Sequence, residues 1–597
     1  MKRVIPFLPW IVALLLIAVA LLCFESDLLW KVQQYNLFLD TPLFFREQML
    51  VPGGFLSYIS CYFTQFFYHP WMGVLVLCCW WLLLMWLTKR AFRIADHWAV
   101  LSLIPVAILL VADMSLGYWH YFMRLRGYFL VPTIGTTVAI AIMWAFRALP
   151  NKLRIVWVVL VTALGYPLFG IYALAAVLLM AVWTWRISNN RTQNAILTIV
   201  ALLCIVAVPL ICYRYIYYQT NSDDIWTAGL PDFTALESHP VYFTPYYLLG
   251  AFFLLMATIN NQHEKINIKH YIAQGVLVVV LIAGVWHWWY KDANFHHELV
   301  MQHCIEQADW EGVLREGQMQ GDEEPTRPIV MMYNLALSRL GRQLDEMYSF
   351  PKGKKMANTS LPFSMVYHVF GRTIYYQYGM LNDCHRLCME DGVEYGWHPE
   401  ILQYLARCSM LMGEKQAAQK ALNLLRHTKY HGEWADTMQQ LLDNPKQMAE
   451  NRETGPVSHM LHYSNALGSD GGNVEKYVMG QLSFQDSDDP YFQEQAVLGA
   501  IWMKDSKLFW PRFFQYARLH PRGPMPRIFQ EAAYLFGKME NRPDIDKMPF
   551  DKNVKKTYDS FMKEVQKYDR QSLDIARVAL YPFYGNTYYF DYYFMKN

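Results

Sequence analysis

Two carboxylates follow the first apolar segment within three residues of each other, in the stretch FESDLLWK. Glu25 and Asp27 would point to one side of an extended chain, but in a helix their directions differ by roughly 200°. A carboxylate within hydrogen-bond reach of a hydroxyl can remove its proton during group transfer, and one carboxylate is enough. We favour Asp27 as this general base, with Glu25 as the second candidate. The alternative is that both only mark where an apolar helix meets water.

Arginines beside later apolar segments could hold a phosphate, because the planar guanidinium matches phosphate oxygens. The stretches HYFMRLRGY and YRYIYYQTNSDDIW each place arginine at the end of such a segment, and the second adds an acidic pair. The predicted substrate- and phosphate-binding residues are Arg46, Arg124, Arg126, Arg214, Asp223 and Asp224. Alternatively, these arginines reach lipid phosphates. Asp113 lies near the end of an apolar segment, where an ionisable group tends to be functional or paired, and its natural partner is Arg124 or Arg126.

Apolar segments must position these residues, and they fill most of the chain before about residue 290. Hydrophobic residues make up 54% of the 597 residues and charged residues only 17%, unlike a typical soluble protein. The first segment has no small-residue cleavage site after it and is interpreted as a retained membrane helix. Spanning a bilayer takes about 20 apolar residues, which predicts nine spans at about 6–24, 71–88, 98–114, 128–147, 154–168, 170–186, 195–213, 243–259 and 271–289.

Lysine and arginine predict the orientation of these spans, since both accumulate on the cytoplasmic side. With a cytoplasmic N-terminus, twelve of these residues fall inside and six outside. We therefore expect a multi-pass protein of the bacterial inner membrane. Residues 1–289 form its transmembrane domain, and residues 290–597 lie in the periplasm. The first periplasmic loop, 25–70, is long for a connector, and loops of this length are usually functional.

The second half is patterned as helices, which makes the predicted fold all-α: a polytopic membrane domain followed by an α-solenoid. Ala336 and Ala406 each precede a glycine at a helix–turn–helix spacing, and they lie 70 residues apart. This separation is near two periods of the ~34-residue tetratricopeptide repeat (TPR), which the segments resemble in degenerate form. Such a solenoid presents a concave surface to a partner protein. The alternative, that it only packs over the membrane domain, stays open.

The N-terminal half resembles the GT-C class of membrane glycosyltransferases. The resemblance rests on an acidic motif after the first span, a long first outside loop, many spans and a soluble domain at the end. It implies transfer of a sugar from a polyprenyl-phosphate carrier to an envelope acceptor at the outer face of the inner membrane. It also implies that Asp27 or Glu25 acts as base or helps to hold a divalent metal ion. No other cofactor is predicted.

The whole chain also resembles a family of uncharacterised bacterial multi-pass proteins with a TPR-like tail. The stretches GGFLSYIS and FFYHPW and the tyrosine-rich end carry this resemblance, which implies no activity. A competing function is a non-catalytic, membrane-anchored scaffold whose second half binds envelope proteins. A transporter is disfavoured, because the spans contain few charges. The expected partners are membrane lipids, a polyprenyl-phosphate sugar and periplasmic proteins, and a net charge of +2 gives no basic field for nucleic acid.

A metal site is not predicted elsewhere. His296 and His303 share a helix face, but the spacing of the HExxH zinc motif is missing around them.

Overall fold

The described residues of the chain fold into helices in the computed structural model. The structure describes residues 8–187, 190–233, 240–259, 268–321, 323–353, 357–465, 468, 472–568 and 573–595. No β-strand occurs within these ranges. The all-α class predicted from the sequence is therefore confirmed.

The chain divides into two units, and the first consists of residues 1–291, 391–402 and 423–436. Its apolar helices pack in pairs, among them α5 with α7, α8 with α10 and α6 with α11. The helices are α1 Leu8–Phe24, α2 Ser26–Gln34, α3 Pro42–Gln48, α4 Gly54–Thr64, α5 Pro70–Ala91, α6 Leu103–Met114, α7 Val131–Arg147, α8 Asn151–Phe169, α9 Ile171–Ile187, α10 Arg191–Tyr215, α11 Thr244–Thr258 and α12 Ile268–Trp288. Short 3₁₀ helices cover Gln65–Tyr68, Asp96–Ser102, Gly117–Phe122, Ser222–Asp224 and Pro240–Phe243.

The second unit consists of residues 292–390, 403–422 and 437–597, so α19 to α22 each contribute residues to both units. Neighbouring helices pack against one another, including α13 with α14 and α25 with α26. The helices are α13 Ala293–Glu306, α14 Trp310–Gln318, α15 Arg327–Arg339, α16 Gln343–Glu346, α17 Phe363–Val369, α18 Gly371–Gln377, α19 Leu381–Glu394, α20 Pro399–Leu411, α21 Lys415–Arg426, α22 Gly432–Asp443, α23 Pro445–Glu450, α24 Gly455–Ser464, α25 Val474–Ser483, α26 Pro490–Trp502, α27 Ser506–Leu519, α28 Arg527–Met539, α29 Lys552–Val565, α30 Leu573–Tyr584 and α31 Tyr588–Phe594, with a 3₁₀ helix at Ile545–Lys547.

Several helices are long and apolar enough to cross a membrane, but the predicted count of nine is not confirmed. Five described helices meet the length and composition of a span: Pro70–Ala91, Asp96–Met114, Asn151–Phe169, Arg191–Tyr215 and Val241–Thr258. Two further apolar helices, α1 and α12, raise the count to seven if each forms one span together with the helix after it. The bend between α1 and α2 is 79°. Two other predicted segments, in α7 and α9, form shorter apolar helices.

Local sequence signals explain the turn that connects α3 to α4. Thr41 caps α3 by accepting a hydrogen bond from the Phe44 N–H at 3.2 Å, the usual role of a threonine before a helix. α4 begins after Gly53, whose φ of +78° lies in the left-handed region that glycine adopts without a steric penalty. A Cβ on the next residue, Gly54, would lie 1.9 Å from the Gln48 carbonyl oxygen. The lack of side chains at Gly53 and Gly54 therefore allows a tight turn between α3 and α4.

The aromatic end of the chain closes the core of the second unit. Tyr588, Tyr589 and Phe590 on α31 are buried, and Glu531 on α28 accepts a hydrogen bond from the Tyr588 N–H at 2.8 Å. Atypical ends are expected of helical-repeat domains, which must cover their last apolar face. The TPR-like solenoid itself is not confirmed and stays a prediction, as does the domain boundary at residue 290.

Candidate functional site

A layer of buried polar side chains connects α2 to the 3₁₀ helix after α4 and to the segment 423–436. The Gln33 amide lies 3.2 Å from the Gln65 side-chain oxygen and 3.0 Å from Nε2 of His431. Gln65 in turn donates to the carbonyl of Asn36 at 2.7 Å. Burial lowers the pKa of His431 to about 4, so the ring is neutral at physiological pH. Buried amides that are hydrogen-bonded in this way hold neighbouring segments in one arrangement.

A buried ion pair adds to this layer. Lys31 Nζ lies 2.8 Å from Glu400 Oε1, and both side chains are almost fully buried. Next to this pair, the ring of Tyr35 stacks on His398 at a centroid distance of 4.3 Å. A charge buried without its partner is strongly destabilising, so the pair fixes residues 391–402 against α2.

A cavity of about 600 Å³ lies within the first unit, between segments next to this layer in sequence. Aromatic rings form one wall: Phe38 from the loop after α2, and Tyr58, Tyr62 and Phe63 from α4. Phe38 lies 5.3 Å from the ring centroids of both Tyr58 and Tyr62. Aromatic faces of this kind bind apolar surfaces, including the C–H faces of sugar rings, while the tyrosine hydroxyls can form hydrogen bonds.

Charged and polar groups also line the cavity. Asp40 comes from the same loop as Phe38, and its N–H donates to the His427 carbonyl at 3.0 Å. The segment that ends α21 contributes Arg426, His427, Thr428 and Lys429. Together these groups could accept a hydroxyl proton and hold a phosphate at the aromatic wall.

The partners of these charged groups differ. Arg426 is held by Asp436 Oδ1 and Asn423 Oδ1, each at 2.8 Å. Lys429 lies over the rings of Tyr62 and Phe66, at 5.4 and 5.0 Å. The Asp40 carboxylate forms no hydrogen bond or ion pair with the side chains that the structure describes. A carboxylate without such a partner can take a proton from a bound molecule.

The two predicted catalytic acids lie at the bend between α1 and α2. Glu25 is buried and accepts a hydrogen bond of 2.6 Å from the indole N–H of Trp289. Asp27 is half-buried in the first turn of α2, where a carboxylate is favoured by the helix dipole. Neither lines the cavity. Their catalytic role stays a prediction.

The predicted phosphate-binding residues are dispersed, and none of them lines the cavity. Arg124 is paired with Glu394 at 3.3 Å, and the Arg126 guanidinium lies 5.8 Å from the ring centroid of Phe44. The others are exposed near helix ends: Arg46, Arg214, Asp223 and Asp224. The predicted pairing of Asp113 with Arg124 or Arg126 is wrong, because these contacts occupy both arginines elsewhere and Asp113 forms no ion pair among the described residues.

The histidines near residue 300 have other partners. His297 Nδ1 lies 2.6 Å from Glu316, and His303 Nε2 lies 2.8 Å from Gln307. Over the described part of the chain, no three His, Cys, Asp or Glu side chains come together as a metal site would require. Among the described residues, these histidines therefore belong to no cluster that could hold a metal ion.

A known protein family matches almost the whole chain. Residues 2–596 match the family described as "Family of unknown function (DUF6057)". The chain belongs to this family. The match confirms that the whole chain belongs to an uncharacterised family, and it does not support the GT-C resemblance of the first half. No curated protein and no solved structure matches the chain.

Sequence reasoning missed the cavity because its two walls come from opposite halves of the chain. Phe38 and Asp40 are visible in the first loop, but nothing in the sequence pairs them with residues 426–429. The available signal was weak: two basic residues, His427 and Lys429, lie within three residues of the helix end at Arg426.

Proposed function

We propose that this protein is a membrane-bound glycosyltransferase that uses a sugar carried on polyprenyl phosphate, and that the cavity of the first unit is its substrate site. One observation carries the proposal: an aspartate without a partner among the described residues shares a single cavity with aromatic rings and basic side chains. A sugar phosphate needs all three, because its ring packs on aromatic faces, its phosphate binds cations and its acceptor must lose a proton.

The proposed reaction assigns a role to each wall. The sugar stacks on Tyr62 and the phosphate binds Lys429. Asp40 takes the proton of the acceptor hydroxyl, whose oxygen bonds to the anomeric carbon of the sugar. The bond between that carbon and the phosphate oxygen breaks, and the leaving phosphate keeps the electron pair. Asp40 thereby replaces Asp27 and Glu25 as the favoured base, although all three belong to the segment expected to form the first outside loop.

The proposal includes the position and orientation of the protein in the membrane. Apolar helices hold the first unit in the bacterial inner membrane, with the N-terminus in the cytoplasm and the cavity and second unit at the periplasmic face. A polyprenyl carrier would reach the cavity from the bilayer, and the acceptor from the periplasm. This is how the GT-C class works, and the proposal assigns the protein a GT-C-like activity.

The experiment compares envelope glycans and glycolipids by mass spectrometry in a deletion strain. The strain carries wild type, Asp40→Asn, Asp27→Asn or the control Asp488→Asn, which removes an exposed carboxylate of the second unit. We expect one glycoform to disappear with the deletion and with Asp40→Asn, and to persist with Asp488→Asn at equal protein level. Loss with Asp27→Asn alone would keep the transferase but contradict the cavity as its site. An unchanged profile in the deletion strain would contradict the transferase.

A non-catalytic scaffold is the second candidate function, favoured by one observation in the second unit. Helix α30 exposes a row of large apolar side chains, including Ile575 at 67% and Val578 at 68%. Apolar patches that remain exposed on a soluble surface usually contact another protein or a membrane. On this account a protein of the envelope covers α30, and Ile575→Asp would impair function while Asp40→Asn would not.

A further inference from the structure

Two arginines lie on the same tryptophan at the ends of α7 and α9. Arg147 ends α7, and its guanidinium carbon lies 5.4 Å from the ring centroid of Trp183. Arg186, in the last turn of α9, lies 4.5 Å from the same ring. Tryptophan is the aromatic residue that attracts cations most strongly. The ring therefore holds two positive charges that repel each other.

A third arginine belongs to the same cluster. Arg93 follows α5 with a φ of +54°, a left-handed conformation that is strained for a non-glycine residue. Its positive charge repels the positive charges of Arg147 and Arg186. Arg147 is fixed against the end of α5, where one of its terminal nitrogens donates to the carbonyls of Arg90 and Ala91, both at 2.5 Å. Its Nε is buried and has no hydrogen-bond acceptor among the described residues.

Two members of this arginine cluster (Arg93, Arg147 and Arg186) have no carboxylate partner among the described residues, namely Arg93 and Arg147. The chain contains no Asp or Glu between Asp113 and Asp223. Asp96, close to Arg93 in sequence, is paired with Lys89 at 2.6 Å. An anion from outside the protein would therefore lower the repulsion within the cluster.

We propose that the arginine cluster binds the phosphate group of an anionic phospholipid. Guanidinium groups bind phosphate through paired hydrogen bonds, and basic pockets between membrane helices recognise phosphorylated lipid headgroups. The cluster lies at the ends of apolar helices, beside the exposed rings of Trp144 and Trp185, and tryptophan is enriched where headgroups meet the hydrocarbon core. The site is separate from the cavity and does not depend on the proposed transfer.

The test measures lipid binding to the purified, delipidated full chain in neutral detergent by native mass spectrometry. The probes are cardiolipin, phosphatidylglycerol, phosphatidylcholine and inorganic phosphate. We expect one tight site for the two anionic lipids, and at least about tenfold weaker binding to the Arg147→Gln/Arg186→Gln variant, since several charge-assisted hydrogen bonds are lost. The control Lys152→Gln removes an exposed charge at the start of α8 and should bind like the wild type.

The wild type alone can decide the result if the double variant does not fold. Tight binding of the anionic lipids that phosphate does not displace would support the site with a lipid as its source. Displacement by millimolar inorganic phosphate would support the phosphate site with a soluble ligand. Equal binding of phosphatidylcholine and cardiolipin, or equal loss with Lys152→Gln, would overturn the proposal.

Discussion

At the scale of single residues, the buried ion pair between Lys31 and Glu400 gives the clearest prediction. Lys31→Met removes the cation and leaves the Glu400 carboxylate, 4% exposed, without this partner. We expect an unfolding free energy lower by about 3–5 kcal/mol, the usual effect of breaking a buried pair. The double variant Lys31→Met/Glu400→Leu should recover most of this loss, because no charge is then left buried. Melting curves in detergent measure both, and a single variant as stable as the wild type would contradict the role of the pair.

The buried His431 predicts a pH dependence at the same scale. Its folded-state pKa of about 4 lies below the ordinary value of 6.5, so between these values the unfolded chain binds a proton that the folded chain does not. Its contribution to stability is complete above pH 6.5 and is lost as the pH falls towards 4, by at most about 1.4 kcal/mol per pH unit.

His431→Gln tests this dependence, because glutamine keeps a polar group beside Gln33 and does not titrate. The variant should lose less of its melting temperature than the wild type between pH 7.5 and pH 5. The exposed neighbour His427 supplies the control, and His427→Gln should follow the wild-type curve. Parallel curves for His431→Gln and the wild type would show that another group causes the pH dependence.

At the scale of elements, the close turn between α3 and α4 is the part of the site most sensitive to substitution. Gly54→Ala would place a methyl group 1.9 Å from the Gln48 carbonyl oxygen, and backbone must move to accommodate it. We expect a lower melting temperature and weaker ligand binding, since α4 carries three of the aromatic cavity residues. Gly250→Ala in α11 is the matched control, because its Cβ would meet nothing within 4 Å. A Gly54→Ala variant that melts and binds like Gly250→Ala would contradict this account of the turn.

Individual elements could be predicted from the sequence better than their associations. Long apolar runs identify helices such as α5 and α10, because a run of this length has few other stable conformations in a bilayer. The 79° bend between α1 and α2 was not predictable, since it has neither a proline nor a glycine at the break. Likewise, the contact of Asp40 with His427 depends on tertiary packing. No local pattern in either segment encodes it.

At the scale of the whole molecule, the orientation in the membrane is the main prediction. The excess of lysine and arginine in alternate loops predicts a cytoplasmic N-terminus and a periplasmic C-terminus. A C-terminal alkaline phosphatase fusion should be active in a bacterial host, and a C-terminal green fluorescent protein fusion should be dark. The reverse pattern would place the second unit in the cytoplasm, away from the acceptors that the proposed transfer requires.

The central claim is that the cavity binds a sugar carried on polyprenyl phosphate, and equilibrium binding to the purified full chain tests it most directly. Tyr62→Ala should bind a polyprenyl-phosphate sugar about 2- to 13-fold more weakly than the wild type, since a ring contact of this kind contributes about 0.5–1.5 kcal/mol. Tyr218→Ala, at a tyrosine 84% exposed and outside the cavity, should bind like the wild type. Equal affinities for all three proteins, or equal binding of polyprenyl phosphate without its sugar, would contradict the account.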